Sequence, residues 1–461
     1  MRFRSSFCYF VALASMFSPG LCLSQVQSNQ QATLASTPPM GWNSWDSFGP
    51  SVRENEVKAN ADIMANRLAK FGWQYIVVDI EWYQPDAHAH GYIPRGRVTM
   101  DQYGRFIPSP NRFPSAVQGL GFKPLADYVH SKGLKFGIHI MRGIPREAVD
   151  RNLPIEGTKY HAADIADKVN VCKWPQMEDT YGIDMSKPGA QAYYDSIARL
   201  YASWGVDFVK ADDMSQPFRG SEIHALSIAL KKTGRPIVLS LSPGPAPIDK
   251  YSQLKADAQM WRISNDFWDR WVDIKEQFDR ARLWQNDSHP GGWPDADMLP
   301  LGHIAIRGER GVDRKSLLTH DEQITLMTLW SIFRSPLMFG GDLSTSDSFS
   351  FSLLTNPEVL AVNQASTNGH EEYRKDGIIC WTAQDGSPKS KLPQQFVAVF
   401  NTSDTARPVQ LSWQSLGLIA HPSSVRDLWK RQPPANNIAD SMTGIHTTIA
   451  SHASLFYKIT P

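Results

Sequence analysis

The stretch Asp207-Phe208-Val209-Lys210-Ala211-Asp212-Asp213 reads as a short apolar strand that ends on a basic residue and two carboxylates. Ahead of it, apolar residues recur at three- and four-residue steps around 190–201, the spacing of one buried helix face. Working outward, the same alternation repeats. Further strand-like runs lie at 40–45, 74–80, 134–140, 237–241, 260–263 and 337–340, and helical patterns lie between them, as at 54–70 and 123–132. The strands are near-continuously apolar, the mark of a parallel sheet covered on both faces. This alternation predicts a (β/α)8 TIM barrel, an α/β fold, rather than a doubly wound sheet. The first unit is not opened by a Gly-x-Gly-x-x-Gly loop, which argues against dinucleotide binding.

After about Ser366 the texture changes to short strand-like runs split by Gly, Pro, Asp and Asn, including 377–381, 396–401, 409–413 and 447–449. They predict a C-terminal antiparallel β-sandwich, with 387–393 as an exposed hairpin loop. The N-terminus is basic, runs apolar from Phe7 to Leu23 and reaches Ser24-Gln25, the pattern of a secretory signal peptide. Leu21 before Cys22 argues against a lipoprotein signal. The expected division is therefore a signal peptide at 1–24, a linker at 25–36, the catalytic barrel at 37–366 and the sandwich at 367–461. The mature protein is expected outside the cytoplasm, periplasmic or extracellular.

Net charge is +1 and there is no basic tract, so nucleic acid and anionic membranes are not expected partners. Of the 4 cysteines, Cys8 and Cys22 fall in the signal segment, leaving Cys172 and Cys380, which form neither a disulfide framework nor a metal cluster. His88 and His90 lack a third ligand at metal-site spacing. No cofactor or metal is implied. The 15 Trp residues suit the apolar CH faces of sugars, although Trp is equally a core residue.

Barrel enzymes gather their chemistry at the C-terminal ends of the strands. Applied strand by strand, that rule collects Trp42 to Asp46, then Asp79, Glu81 and Trp82, then His139 and Arg142. Lys210, Asp212 and Asp213 follow, then Ser240 and Ser242, Arg262 and Asp266, and Asp295 and Asp297. Each acid taken alone is as readily a turn or helix cap. Together they make an acidic, Trp-rich rim with two cations, which matches a neutral polyhydroxylated ligand. Two carboxylates on separate strands are what glycosidic-bond cleavage needs.

Several strings carry a family resemblance. Pro38-Pro39-Met40-Gly41-Trp42-Asn43-Ser44-Trp45 resembles the opening strand of glycoside hydrolase family 27, the α-galactosidase and α-N-acetylgalactosaminidase group. Residues 125–138, Trp204 to Lys210, Gly291 to Leu299 and 355–364 are similar to its barrel segments, and Val425-Arg426-Asp427-Leu428-Trp429 to its C-terminal sandwich. The resemblance implies a retaining mechanism with Asp212 as nucleophile and Asp266 as acid/base. It further implies Lys210 and Arg262 as sugar-hydroxyl contacts, Trp42 as an apolar platform, Asp79 on the outer hydroxyls, and Asp297 with Met298 at the border. Lys210 should lower the pKa of Asp212, while the acid/base needs a raised one.

Departures from the family pattern bear on the sugar. Where relatives carry two consecutive Asp residues gripping O4 and O6, this chain has Asp79-Ile80. Ile80 cannot accept a hydroxyl, so either Glu81 compensates or the O6 environment differs, which suits β-L-arabinopyranose. Ser242 stands where many α-galactosidases carry Glu, as in α-N-acetylgalactosaminidases; His139 replaces the usual Tyr, and Met214 a usual cysteine. A long segment, 142–181, is expected to shape the leaving-group side. The leading expectation is a secreted α-galactosidase. The same mechanism on another sugar (α-N-acetylgalactosaminidase, β-L-arabinopyranosidase or isomaltose-releasing α-glucan hydrolase) is the alternative, and a non-catalytic carbohydrate-binding protein the remote one.

Overall fold

The computed structural model describes residues 1, 34–172, 174, 178–387, 394–419, 421–435, 438–440 and 442–461. The expected signal peptide with Cys8 and Cys22, nearly all of the linker, and the tip of the 387–393 loop lie outside them. Among the described residues, no helix is long and apolar enough to cross a membrane.

Eight strands form the first sheet: β1 Met40–Asn43, β2 Tyr75–Val78, β3 Lys135–Met141, β4 Phe208–Asp212, β5 Val238–Leu241, β6 Met260–Arg262, β7 Trp293–Asp295 and β8 Leu337–Phe339. All paired neighbours are parallel, in the order β7-β6-β5-β4-β3-β2-β1-β8. The ring closes just beyond β7, where the Leu299 amide donates to the Met338 carbonyl at 2.7 Å and the Gly340 amide to Leu299 at 3.0 Å. This is the expected barrel.

Register sorts the side chains. Residues paired across neighbouring strands share a face, so Gly41, Tyr75 and Met338 line up, as do Gly137, Phe208 and Val238. These belong to an inner layer in which the Tyr75 and Phe208 rings lie 5.3 Å apart. The aromatics leave no room for two further side chains: a Cβ on Gly41 would stand 2.7 Å from that of Tyr75, and one on Gly137 2.9 Å from that of Phe208. Two residues further along, the same inward face turns polar, with His139 beside Lys210 and Lys210 beside Ser240. The alternate residues (Trp42, Ile76, Phe136, Ile138, Val209, Leu239 and Trp261 among them) are fully buried or nearly so on the outer side, in one cluster with the surrounding helices. Burial on both faces explains the continuous apolar runs.

The long segment after β3 forms a small antiparallel ribbon of Ile144–Pro145, Thr180–Ile183 and Ala166–Asp167. Arg142 ties it to the barrel. This buried guanidinium contacts Asp213 and Glu222, each at 2.7 Å, and donates to the Asn170 carbonyl at 2.7 Å. Its position at a strand end thus reflects structure.

The chain then enters two antiparallel sheets. One is five-stranded, built from β9 Ser366–Lys375, β10 Ile378–Asp385, β11 Gln395–Asn401, β13 Ser424–Asp427 and β16 Ser454–Thr460. The other holds β12 Arg407–Ser412, β14 Ala439–Asp440 and β15 Gly444–Ile449. Ile378, Cys380, Val397 and Val399 face Leu411, Trp413 and Ile445 in a core between the sheets. The intervening Ile379, Trp381, Ala398 and Phe400 point the other way and join the core of the barrel helices. Phe333 meets Trp381 at 6.0 Å and Phe278 meets Phe400 at 5.0 Å. Cys172 and Cys380 are both buried and unpaired.

Candidate active site

The polar crown opens into a cavity of about 280 Å³ at the C-terminal mouth of the barrel, small for a ligand site and suited to one sugar ring. Asp79, Lys210, Asp212, Arg262, Asp266 and Asp297 line it, as the strand-end rule expects. Their inward direction follows from the pleat: Lys210 and Asp212 are two residues apart on β4, and Arg262 ends β6 opposite Asp295 of β7.

Two ion-pair groups organise the walls. Lys210 Nζ donates to Asp79 Oδ2 at 2.9 Å, and Asn43 Nδ2 donates to the same oxygen at 2.7 Å. Burial alone would raise the pKa of Asp79, but the charge of Lys210 and these hydrogen bonds prevail and hold it at about 2. On the other side, Arg262 bridges Asp297 Oδ2 at 2.7 Å and Asp266 Oδ1 at 3.3 Å. Backbone amides of Phe267 and Met298 also donate to Asp297, each at 2.8 Å. Asp297 is thereby a fixed strut between the β6 and β7 loops.

Asp212 is buried and its two oxygens are separately held. His139 Nε2 lies 3.0 Å from Oδ2, and the Asp213 amide donates to Oδ1 at 3.1 Å. Burial pushes this carboxyl up, yet the His139 hydrogen bond and the charges of His139 and Lys210 pull it further down, so it lies below the ordinary value. Asp266 differs sharply: its side chain is 50% exposed. One carboxylate is thus enclosed and oriented, and the other stands at the mouth.

Four expected contacts lie behind the wall. Trp42 is fully buried and turned to the outer side, where Nε1 donates to the Gly341 carbonyl at 2.8 Å and the ring packs edge-on to Phe48. It is one residue out of phase with the inward-facing Gly41 and Asn43. Trp45 lines the cavity instead, stacked on Tyr92 with centroids 5.7 Å apart. Glu81 is also buried, near Gln84 and Arg112, and burial with the neighbouring Asp179 charge pushes its pKa up to about 9. It does not replace the missing acid at Ile80. His139 is enclosed and reaches the cavity through Asp212, and Ser242 is enclosed with its Oγ unpartnered.

Asp46 lines the cavity too, with Oδ2 buried and unpartnered over Gly340, where any Cβ would overlap it. Burial, then the negative charge of Asp297, raises its pKa well above the carboxylate range and favours the protonated acid. Ile80, Met298 and Trp268 complete an apolar wall with Trp45. Tyr92, Trp174, Phe267, Trp268 and Glu309 were not singled out from sequence. Trp174 had one available signal, since it sits in the unusually long 142–181 segment. The others sit on loops where nothing in the residue pattern sets direction.

Two carboxylates on different strand ends, flanked by cations and aromatic faces in a sugar-sized barrel mouth, define a glycoside hydrolase. Residues 37–148 and 176–365 match the family model described as alpha galactosidase A, and residues 381–459 match the alpha galactosidase C-terminal beta sandwich domain. The chain belongs to glycoside hydrolase family 27. Among solved structures it is similar to a family 27 β-L-arabinopyranosidase from Geobacillus stearothermophilus, at 50% identity and a TM-score of 0.88, covering 93% of this chain and 97% of that one. A variant of that enzyme has been solved in complex with arabinose. A candidate α-N-acetylgalactosaminidase from Bacillus halodurans is 44% identical, with a TM-score of 0.81 and coverage of 93% and 98%. The α-galactosidase of Cyamopsis tetragonoloba is 28% identical over 436 residues, 93% of this chain and 87% of the relative.

Proposed function

We propose that this glycoside hydrolase is a retaining exo-enzyme that releases terminal β-L-arabinopyranosyl residues. The observation that carries the reading is the side chain of Ile80, which forms cavity wall directly after Asp79 and packs with Trp45, Trp268 and Met298. A hydroxymethyl group there finds an apolar face in place of an acceptor. Arabinopyranose keeps the hydroxyl arrangement of galactose without that group, so it loses nothing. The 50% identical arabinopyranosidase supports the same reading. On this reading α-galactosidase, the leading expectation from sequence, becomes the alternative.

In the first step the Asp266 carboxylic acid gives its proton to the glycosidic oxygen. The bond from that oxygen to C1 breaks as an Asp212 oxygen bonds to C1 from the opposite face. In the second, the Asp266 carboxylate takes a proton from water, whose oxygen bonds to C1 and frees Asp212. His139 and the Asp213 amide orient the nucleophile, Lys210 and Asp79 grip outer hydroxyls, and Arg262 keeps Asp266 and Asp297 in register. The basic, then apolar N-terminal sequence supports export, which sequencing the N-terminus of secreted protein tests.

The deciding experiment compares kcat/KM for p-nitrophenyl β-L-arabinopyranoside and p-nitrophenyl α-D-galactopyranoside. A hydroxyl hydrogen bond missing from the site is worth ~1 kcal/mol or more, so the arabinopyranoside is expected to lead by about five-fold or more. A preference for the galactoside overturns the assignment and returns α-galactosidase. Asp212→Ala should abolish turnover, with azide restoring it as a glycosyl azide of inverted configuration; full activity in that variant would refute the mechanism.

A further inference from the structure

The peptide between Asp212 and Asp213 carries one of the two holds on the Asp212 carboxyl. Its amide donates to Oδ1 at 3.1 Å, while His139 Nε2 lies 3.0 Å from Oδ2. Contacts on opposite oxygens fix the plane of the carboxyl. How that peptide is turned relative to the chain beyond depends on φ of Asp213, which at 57° lies in the left-handed region. A residue with a Cβ occupies that region at a cost, and Asp is among the few that do so singly. The chain on either side is pinned by backbone bonds. The Arg142 amide donates to the Asp212 carbonyl and the Met214 amide to the Ser242 carbonyl, each at 3.0 Å. Asp213 is the turn between those pins.

The Arg142 side chain grips that turn. Its Nε donates to the Asp213 carbonyl at 3.1 Å and to Asp213 Oδ2 at 2.8 Å, and Nη2 stands 2.7 Å from the same carboxyl oxygen. A planar guanidinium with donors in fixed directions sets the backbone and the side chain of one residue at once, which a single ammonium does not. Arg142 is itself held by Glu222 Oε1 and the Asn170 carbonyl, each at 2.7 Å. Glu222 in turn accepts from Tyr194 Oη at 2.7 Å and from the Ile183 amide at 3.3 Å. Arg142 and Asp213 are almost wholly buried and neither lines the candidate active site, so any effect they have on the reaction passes through Asp212. Asn170 lies within residues 149–175, which the family model does not match, so part of this hold comes from the chain's own insertion.

Resting on the reading of Asp212 as nucleophile, we propose that Arg142 and Asp213 are positioning residues for its attack on the sugar, together keeping the 212–213 amide on Asp212 Oδ1. Without their grip the turn relaxes out of the left-handed region and the amide leaves Oδ1. The carboxyl then swings about its one remaining contact, with His139. Lys210 and Asp79 still hold the outer hydroxyls, so binding survives while attack slows. Misplacing a reacting group by about 1 Å costs on the order of 100-fold in rate.

The test measures kcat/KM on whichever of the two p-nitrophenyl glycosides the wild-type enzyme cleaves faster, together with the inhibition constant of the free sugar. Asp213→Ala loses both the grip and the tolerance of positive φ, so kcat/KM should fall at least 20-fold while the inhibition constant stays within three-fold. Asp213→Asn keeps an acceptor for Arg142 and still enters the left-handed region, so its kcat/KM should stand at least ten-fold above that of Asp213→Ala. Arg142→Lys keeps the charge without the fork and should lose ten-fold or more, again with sugar inhibition held. If Arg142→Lys does not fold, the Asp213 variants decide alone, since Arg142 keeps Glu222 in both. If Asp213→Ala does not fold, Asp213→Gly replaces it: it accepts positive φ but offers Arg142 no carboxylate, and a loss of at least five-fold is expected. Equal kcat/KM in the Ala and Asn variants, a wild-type value in a folded Asp213→Ala, or an inhibition constant weakened as much as kcat/KM overturns the positioning role. Asp212→Ala is measured alongside. Full activity there removes the nucleophile itself, whereas an inactive Asp212→Ala beside a fully active Asp213→Ala removes only the role given to Arg142 and Asp213.

Discussion

Replacing Ile80 by Asp should redirect the sugar preference. Ile80 is 1% exposed, lines the cavity with Trp45, Trp268 and Met298, and follows Asp79 of the Asp79–Lys210 pair. An Asp carboxylate in its place supplies an acceptor to a hydroxymethyl group. A hydrogen bond to a charged group contributes ~1.5–3 kcal/mol, which is about 10- to 150-fold in relative kcat/KM. Two effects oppose it. The new charge sits next to Asp79, whose own charge is matched by Lys210 at 2.9 Å, and it enters an apolar wall. The gain should therefore fall near ten-fold. The assay is the ratio of kcat/KM for p-nitrophenyl α-D-galactopyranoside over p-nitrophenyl β-L-arabinopyranoside, with Ile80→Asn as the uncharged control. The ratio is expected to rise in Ile80→Asp and less in the control. Removing the buried Ile side chain costs ~1.5–3 kcal/mol of stability, so Tm should drop in both variants. A folded Ile80→Asp enzyme with an unchanged or reversed ratio refutes the assignment of this wall to the hydroxymethyl position.

Further outcomes follow from the neighbouring groups. In His139→Phe, Asp212 loses the hydrogen bond and charge that hold its pKa down, so the acid limb of kcat/KM against pH should move to higher pH; an unmoved limb refutes that role. Lys210→Met leaves Asp79 buried without its cation and should cost ~3–5 kcal/mol in chemical denaturation. Adding Asp79→Asn should restore stability without activity, and a fully stable single variant would contradict the pairing. Asp46 takes up a proton on folding because its folded pKa is raised. Its carboxyl therefore costs stability increasingly as pH rises above ~3.9. Asp46→Asn removes that cost, so the Tm advantage of the variant should grow from pH 4 to pH 7; a constant difference would show that Asp46 does not titrate this way.

The barrel was legible because its strands are buried on both faces, and β4 with its preceding helix carries the period of each element openly. Asp212, Lys210 and Arg262 were legible for the same reason: they end strands, where the pleat fixes direction. Trp42 shows the limit. Phase within β1 decides between the outer and inner face, and the phase could be set only by pairing Gly41 and Asn43 with their neighbours. Trp45 lies past the strand end, where alternation no longer applies. Glu81 and Ser242 lie beyond β2 and β5, where alternation no longer applies either, and Glu81 is set among Asp179 and Arg112 from distant sequence. Tyr92 and Glu309 reach the cavity on loops whose course no local pattern sets.

Along β10, Cys380 belongs to one hydrophobic core and Trp381 to another. A single strand thus answers to two packing problems at alternate positions, and from Ile378 to Ala383 it has no solvent-facing side to spare. Such a module cannot be exchanged for an unrelated sandwich by cutting between helix and strand, since the exchange would strip the barrel helices of Phe400 and Trp381. Chimaeras that keep the five-stranded sheet and replace only β12, β14 and β15 are the ones this architecture permits.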